Sequence, residues 1–245
     1  MKQTLLTICL IIFALPVWGS NLVCNLTGFN CPEIDEFDKL VDVDGILYKK
    51  FSDTPFTGNV TDGEQQGFVK EGKKDGSWVE YYNNGRLKTK ENYKDGKEDG
   101  LFEYYHKNGQ LWMKNNYKDG KEDGLMEEYY ENGQLWRKGN YKDDRWNGLW
   151  ERYYDNGQLL EKGNYKDGKE DGLWEYFKED GQLHVKSNAK DGKQDGLWEK
   201  YYPNGQLEER RNYKDGKLDG LWEYFKEDGS LKITETWING VRQKQ

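Results

Sequence analysis

Between residues 76 and 243, short apolar–aromatic runs alternate with polar turns, and the alternation keeps a fixed length. Seven glycines mark it, Gly76, Gly100, Gly124, Gly148, Gly172, Gly196 and Gly220, each 24 residues from the next. A strict period of this size signals a stack of one supersecondary unit. With each glycine as position 0, position 1 is leucine from Leu101 to Leu221, after Ser77 in the first unit. Position 2 reads Trp78, Phe102, Met126, Trp150, Trp174, Trp198 and Trp222. Position 5 is Tyr or Phe throughout, position 11 is leucine from Leu87 to Leu231, and position 17 is mostly tyrosine, from Tyr93 onward. Asn-Gly or Asp-Gly stands at positions 8 and 9, between the two runs. That arrangement predicts a β-hairpin with a two-residue turn, whose two central residues both need positive φ. A polar Asp-Gly-Lys turn then leads into the next unit.

A two-residue Asn-Gly loop pairs positions that sum to 17. Glutamate at position 3 then opposes Lys or Arg at position 14, as in Glu103–Lys114, Glu127–Lys138, Glu151–Lys162, Glu175–Lys186 and Glu199–Arg210. Opposed opposite charges are the favourable cross-strand arrangement. If the Asp-Gly-Lys turn sets Tyr93 opposite Gly100, Lys90 also faces Glu103, and one alternating ladder runs the length of the array. The same registers set each position-17 aromatic beside a glycine on both sides, which makes the glycine a space left for a ring. Strand parity places positions 2, 11 and 17 on one face, and the ladder with positions 1, 5 and 16 on the other. The expected fold is all-β: an elongated, twisted, single-layer antiparallel meander of about 14 strands, ~65 Å long if flat. Gly58 to Gly76 is 18 residues, short of a full period, so residues 45–75 read as a degenerate N-terminal capping repeat. Seven hairpin repeats fill 76–243, residues 20–44 read as a linker, and 244–245 are a tail.

Composition supports this reading. Only 34% of the 245 residues are hydrophobic, 15% are aromatic and 33% charged, with 29 Gly and 4 Pro. Few aliphatics and many turns leave no large aliphatic core, and the aromatic content argues against disorder. Residues 1–19 carry Lys2, an apolar run over 5–15 and Val17-Trp18-Gly19, the pattern of a secretory signal peptide, with a retained anchor as the alternative. Exported, the chain would be periplasmic, cell-surface or extracellular. The net charge of −8 becomes −9 once Lys2 is removed, which disfavours nucleic acid as a partner. Cys24 and Cys31 remain beyond the leader, an even number in an oxidising route, and suit a short-loop disulfide or two free thiols.

Catalytic chemistry finds no foothold. The only histidines, His106 and His184, stand at positions that vary between repeats, and no Ser–His–Asp or Cys–His set recurs. The segment from Asp95 to Gly100 places Lys97 where a calcium loop needs an oxygen ligand. No enzyme activity, metal or cofactor is therefore expected.

The runs Tyr-Tyr-Glu-Asn-Gly-Gln-Leu (129–135), Lys-Gly-Asn-Tyr-Lys-Asp (138–143) and Asp-Thr-Pro-Phe-Thr-Gly (53–58) resemble the variant MORN repeat, and closely the YwqK-like family labelled as antitoxin components. The resemblance covers about residues 45–243. It implies a hairpin array that binds proteins, a toxin-like one by the label, with membrane lipid as a contact in the wider family.

Specificity should lie where the repeat varies. Position 12 reads Lys88, Trp112, Trp136, Leu160, His184, Glu208 and Lys232. The expected registers join Tyr105, Trp112, Tyr129, Trp136 and Tyr153 into one aromatic strip, and Trp146 sits in a departing turn, Asp143-Asp144-Arg145-Trp146-Asn147. Exposed Trp and Tyr clusters mark interfaces, so these six residues are the candidate binding site, with sheet packing as the alternative. A protein-binding platform is the leading function. A carbohydrate- or choline-binding surface module and a structural spacer are the other two readings.

Overall fold

The structure is a computed structural model and describes residues 33–244. One open sheet of 21 strands takes in nearly all of it, beside a separate hairpin of Leu40–Val43 and Ile46–Lys49. From Gly58–Asp62 onward every pairing is antiparallel and follows chain order, two strands to a repeat. The expected single-layer meander of tandem hairpins is the fold observed. At its start, Glu33–Glu36 lies parallel to Gly58–Asp62.

The two turns exchange the roles expected of them. At the Asn-Gly loop, the His106 N–H donates to the Gln110 carbonyl and the Gly109 N–H to the His106 carbonyl, both at 2.8 Å. Only Gly109 has positive φ, at +90°. This is a three-residue loop, a tight turn followed by a left-handed glycine, rather than a two-residue turn. Asparagine earns its place differently: Asn108 Oδ1 accepts from the Gln110 N–H at 2.9 Å. The extra loop residue is absorbed by a bulge at Trp112, so Tyr105 opposes Leu111 while Tyr104 opposes Met113. Beyond the bulge the expected register holds, with Glu103 opposite Lys114 and Gly100 opposite Tyr117.

The Asp-Gly turn is the two-residue one. Asp95 and Gly96 both have positive φ, at 50° and 83°, and Lys94 opposes Lys97. Tyr93 then opposes Glu98, not Gly100, yet Lys90 still opposes Glu103. Asp99 and Gly100 therefore bulge out, and the Asp99 N–H bonds the Asn92 carbonyl at 2.8 Å. This corrects the role expected of the repeat glycine. A Cβ on Gly100 would meet Asn92 Cβ at 3.2 Å rather than a ring, and one on Gly148 would meet nothing within 4 Å. Gly100 is required by its φ of +114°, which the bulge imposes and which L side chains rarely adopt.

The core lies on one face of the sheet, and among the described residues no second layer covers it beyond the N-terminal cap. Trp78, Phe102, Met126, Trp150 and Trp174 are buried there. Before the last repeat, each position-15 residue sits between two position-2 side chains, as Gly139 does between Met126 and Trp150. A Cβ on Gly139 would lie 2.8 Å from Trp146 and 2.9 Å from Trp150, and one on Gly163 would overlap the Trp174 ring. Glycine is a space for a ring here, at position 15, not at position 0. At the N-terminal end Leu40, Leu47, Phe56, Val60 and Val69 close over Trp78, and Phe37 meets its ring edge-on at 5.9 Å. Residues 33–44, expected as linker, thus belong to the cap. The leader, Cys24 and Cys31 lie outside the described residues.

The opposite face carries the expected charge ladder. Lys138 meets Glu151 at 2.6 Å, Lys162 meets Glu175 at 2.9 Å, and Arg210 meets both Glu199 at 3.2 Å and Glu223 at 3.7 Å. Such partly exposed pairs are each worth about 0.2–1 kcal/mol, so the ladder sets register more than it stabilises. Bonds along the turns add to it: Tyr82, Tyr130, Tyr154 and Tyr202 each donate a hydroxyl hydrogen bond to a carbonyl of the next repeat at 2.7–2.9 Å.

Candidate functional site

The aromatic strip expected from sequence is not assembled. The bulge at position 12 turns Trp112 onto the tryptophan face, where it meets Tyr104 at 6.2 Å and His106 at 6.1 Å between ring centroids. Trp136 likewise meets Tyr130 at 6.1 Å, with the Arg137 guanidinium 4.7 Å from its ring centre. Tyr105, Tyr129 and Tyr153 stay on the ladder face. The Tyr129 hydroxyl donates to Glu127 and the Tyr153 hydroxyl to Glu151, both at 3.1 Å. A one-residue slip sends a side chain to the other face of a sheet, and the bulge is that slip.

Trp146 is a strand residue, not a loop residue. Asp144 replaces the usual glycine at φ 64°, and the turn still pairs Lys142 with Arg145 and Tyr141 with Trp146. The indole stacks on Tyr141 at 3.8 Å and meets Trp150 edge-on at 4.5 Å. Other repeats place Glu98, Glu122 and Glu170 in that slot, opposite Tyr93, Tyr117 and Tyr165. Burial pushes the Glu122 and Glu170 carboxyls up, and the nearby Glu161 adds to the shift at Glu170. Among the three candidate tryptophans, Trp112 is the exposed one, at 40%.

The row most free of the repeat is one that position 12 alone does not reveal. Positions 4 and 13 form it, running Tyr104, Met113, Glu128, Arg137, Arg152, Glu161, Tyr176 and Val185 along the tryptophan face. Arg137 and Arg152 oppose one another directly. Each turns to its own acid: Arg137 Nε bonds the buried Glu128 at 2.6 Å, and Arg152 meets Glu161 at 3.0 Å. Burial, then Glu170 and Glu161, push the Tyr176 hydroxyl up to about 12. The signal was present in the sequence, since neither position keeps one residue type through the repeats, but their shared row needs the register.

Toward the C-terminus the face becomes more polar. Arg211 sits over Trp198 at 4.7 Å and over Trp222 at 5.1 Å, and its Nε bonds the buried Glu209 at 2.7 Å. The Trp222 indole N–H donates to the same carboxylate. Burial, with Lys178 and Lys200 nearby, lowers the His184 imidazole from its ordinary value. Among the described residues no three His, Cys, Asp or Glu side chains are grouped to hold a metal ion. The face can offer ring surfaces, a few indole and hydroxyl donors, and paired charges, which is the equipment of a recognition surface.

Seven segments match the family described as MORN repeat variant: residues 74–95, 98–119, 122–143, 146–167, 170–191, 194–215 and 218–239. No curated protein sequence matches the chain. Among solved structures, a chain in the crystal structure of a GtfA/B complex bound to UDP and GlcNAc is 14% identical over 72% of this chain. The match spans 38% of that chain, and its TM-score of 0.18 carries no argument about fold or function.

Proposed function

This chain belongs to the MORN repeat variant family, and on that premise we propose that it is a non-catalytic array holding a protein partner on its tryptophan face. Repeats of this family are generally modules that bind proteins or membranes. One observation carries the choice of face: the departures from the repeat collect there, at positions 4, 12 and 13. The ladder face keeps its Glu, Lys and Leu in nearly every unit. Trp112 and Trp136 with Arg137 are the anchors, since ring and guanidinium surfaces dominate interface energetics. A chain with a net charge of −8 suits a protein better than an anionic bilayer. The resemblance to the antitoxin-labelled family makes a toxin-like protein the first partner to try. The leader-like pattern of residues 1–19 supports an exported compartment as the place of that encounter.

The test is a crosslinking pull-down from that compartment with the Trp112→Ala and Trp136→Ala double variant. The partner should be lost while the β circular dichroism signal stays. Retention of the partner, or retention of the chain on wall glycan in place of any protein, sinks the proposal.

A further inference from the structure

The ladder face carries a stripe of leucines that the fold leaves only partly covered. Leu101, Leu125, Leu149, Leu173 and Leu221 at position 1 remain 38–48% exposed. Their backbone is nonetheless fastened: Asn116 Nδ2 donates to the Leu125 carbonyl at 2.7 Å, and Asn188 to that of Leu197 at 2.9 Å. Positions 4, 12 and 13 have drifted apart between repeats, yet leucine stands at position 1 in six of seven. Ser77 occupies the slot in the first repeat, so packing within the chain does not demand leucine.

We propose that this face is a self-association surface, on which a second copy of the chain packs face to face about a two-fold axis with the leucine stripes interleaved. Successive leucines stand two strands apart, ~10 Å, which leaves room for a facing leucine between them. The occupant must repeat at the same spacing, and a second copy does so by construction. Charge fits as well. Lys and Glu alternate strand by strand along the ladder, as in Lys114–Glu127–Lys138–Glu151. An offset of one strand therefore sets Lys over Glu along the contact, and a two-fold makes the match mutual. The acidic excess of the chain lies largely in its Asp-rich turns, at the sheet's edges. Five repeats span ~50 Å, and positions 1 and 5 lie ~14 Å apart, roughly 700 Å² per copy. A stable interface buries ~800 Å² per partner, and twisted sheets do pack face to face, at about 30°.

Sedimentation velocity of the purified chain over a concentration series tests this. A monomer–dimer equilibrium is expected, and Leu125→Ser with Leu149→Ser should weaken it roughly 10- to 100-fold. Serine already occupies this slot at Ser77, so the β signal should be unchanged. Trp112→Ala, on the other face, should leave the dimer intact. A monomer at every concentration overturns the proposal, as does a dimer indifferent to the serine pair or lost with Trp112→Ala. Flotation of the monomer with phosphatidylcholine vesicles, abolished by the serine pair, would assign the stripe to lipid and overturn it too.

Discussion

Between Trp150 and Trp174, position 15 has no side chain at all; between Trp198 and Trp222 it holds an arginine. The backbone register is the same in both regions. At Gly163 the missing side chain lets the Trp174 ring lie over the strand, and Trp174 is 2% exposed. At Arg211 the guanidinium fills the gap between two rings and brings its own buried counter-charge, Glu209. A slot between rings can be closed by a neighbouring indole or filled by a neutralised cation. The choice is made locally, between adjacent repeats, because each repeat touches only its neighbours. That freedom lets one face hold the array together and still vary along its length.

The comparison breaks most visibly if the rings are removed. Trp174→Ala should cost about 3–5 kcal/mol in urea unfolding, because no second layer can collapse into the space. A cost under about 1 kcal/mol would mean the face is not the core. In the arginine region, Arg211→Ala leaves the buried Glu209 without its counter-charge and should cost about 2–4 kcal/mol. Arg211→Met combined with Glu209→Gln should recover most of that, and failure to recover would show that the cation itself is needed. Gly163→Ala should cost about 1–3 kcal/mol by pushing Trp174 off the strand. Ser187→Ala, at the next slot along, already has a Cβ and should change stability by less than about 0.5 kcal/mol. Equal effects at the two sites would erase the distinction between closed and filled slots.

The last effect appears only in alkaline titration. Burial raises the Tyr141 and Tyr176 hydroxyls to about 12, from the ordinary 10.0. The folded state then keeps protons that the unfolded chain releases, so stability is full below pH 10 and falls as pH climbs toward 12. Phenolate absorbance followed beside circular dichroism should show these tyrosines ionising late, with the loss of structure. Early ionisation in an intact sheet would contradict their burial.

Much of this was legible from the residues. The 24-residue period, the hairpin array and the Glu103–Lys114 type of pairing follow from spacing alone, because charge opposition tests a register. What the residues concealed was the two bulges. Asn-Gly serves both two- and three-residue loops, and the two differ by the single residue that sends Trp112 to the other face. The bulge at Asp99 and Gly100 lies between two correctly predicted pairings, so neither reveals it. Trp146 read as a loop residue because Asp144 hides the turn glycine, although aspartate tolerates the left-handed region. The cap over Trp78 recruits Leu40 through contacts distant in sequence, which no local pattern announces.

The division of labour between faces is tested most directly by a photo-crosslinking side chain placed at Trp112 or, separately, at Tyr129. Sequence spacing sets these two side by side, while the structure sets them on opposite faces of the sheet. The account predicts that the partner protein is captured from position 112 and not from position 129. Capture from position 129 alone would contradict it.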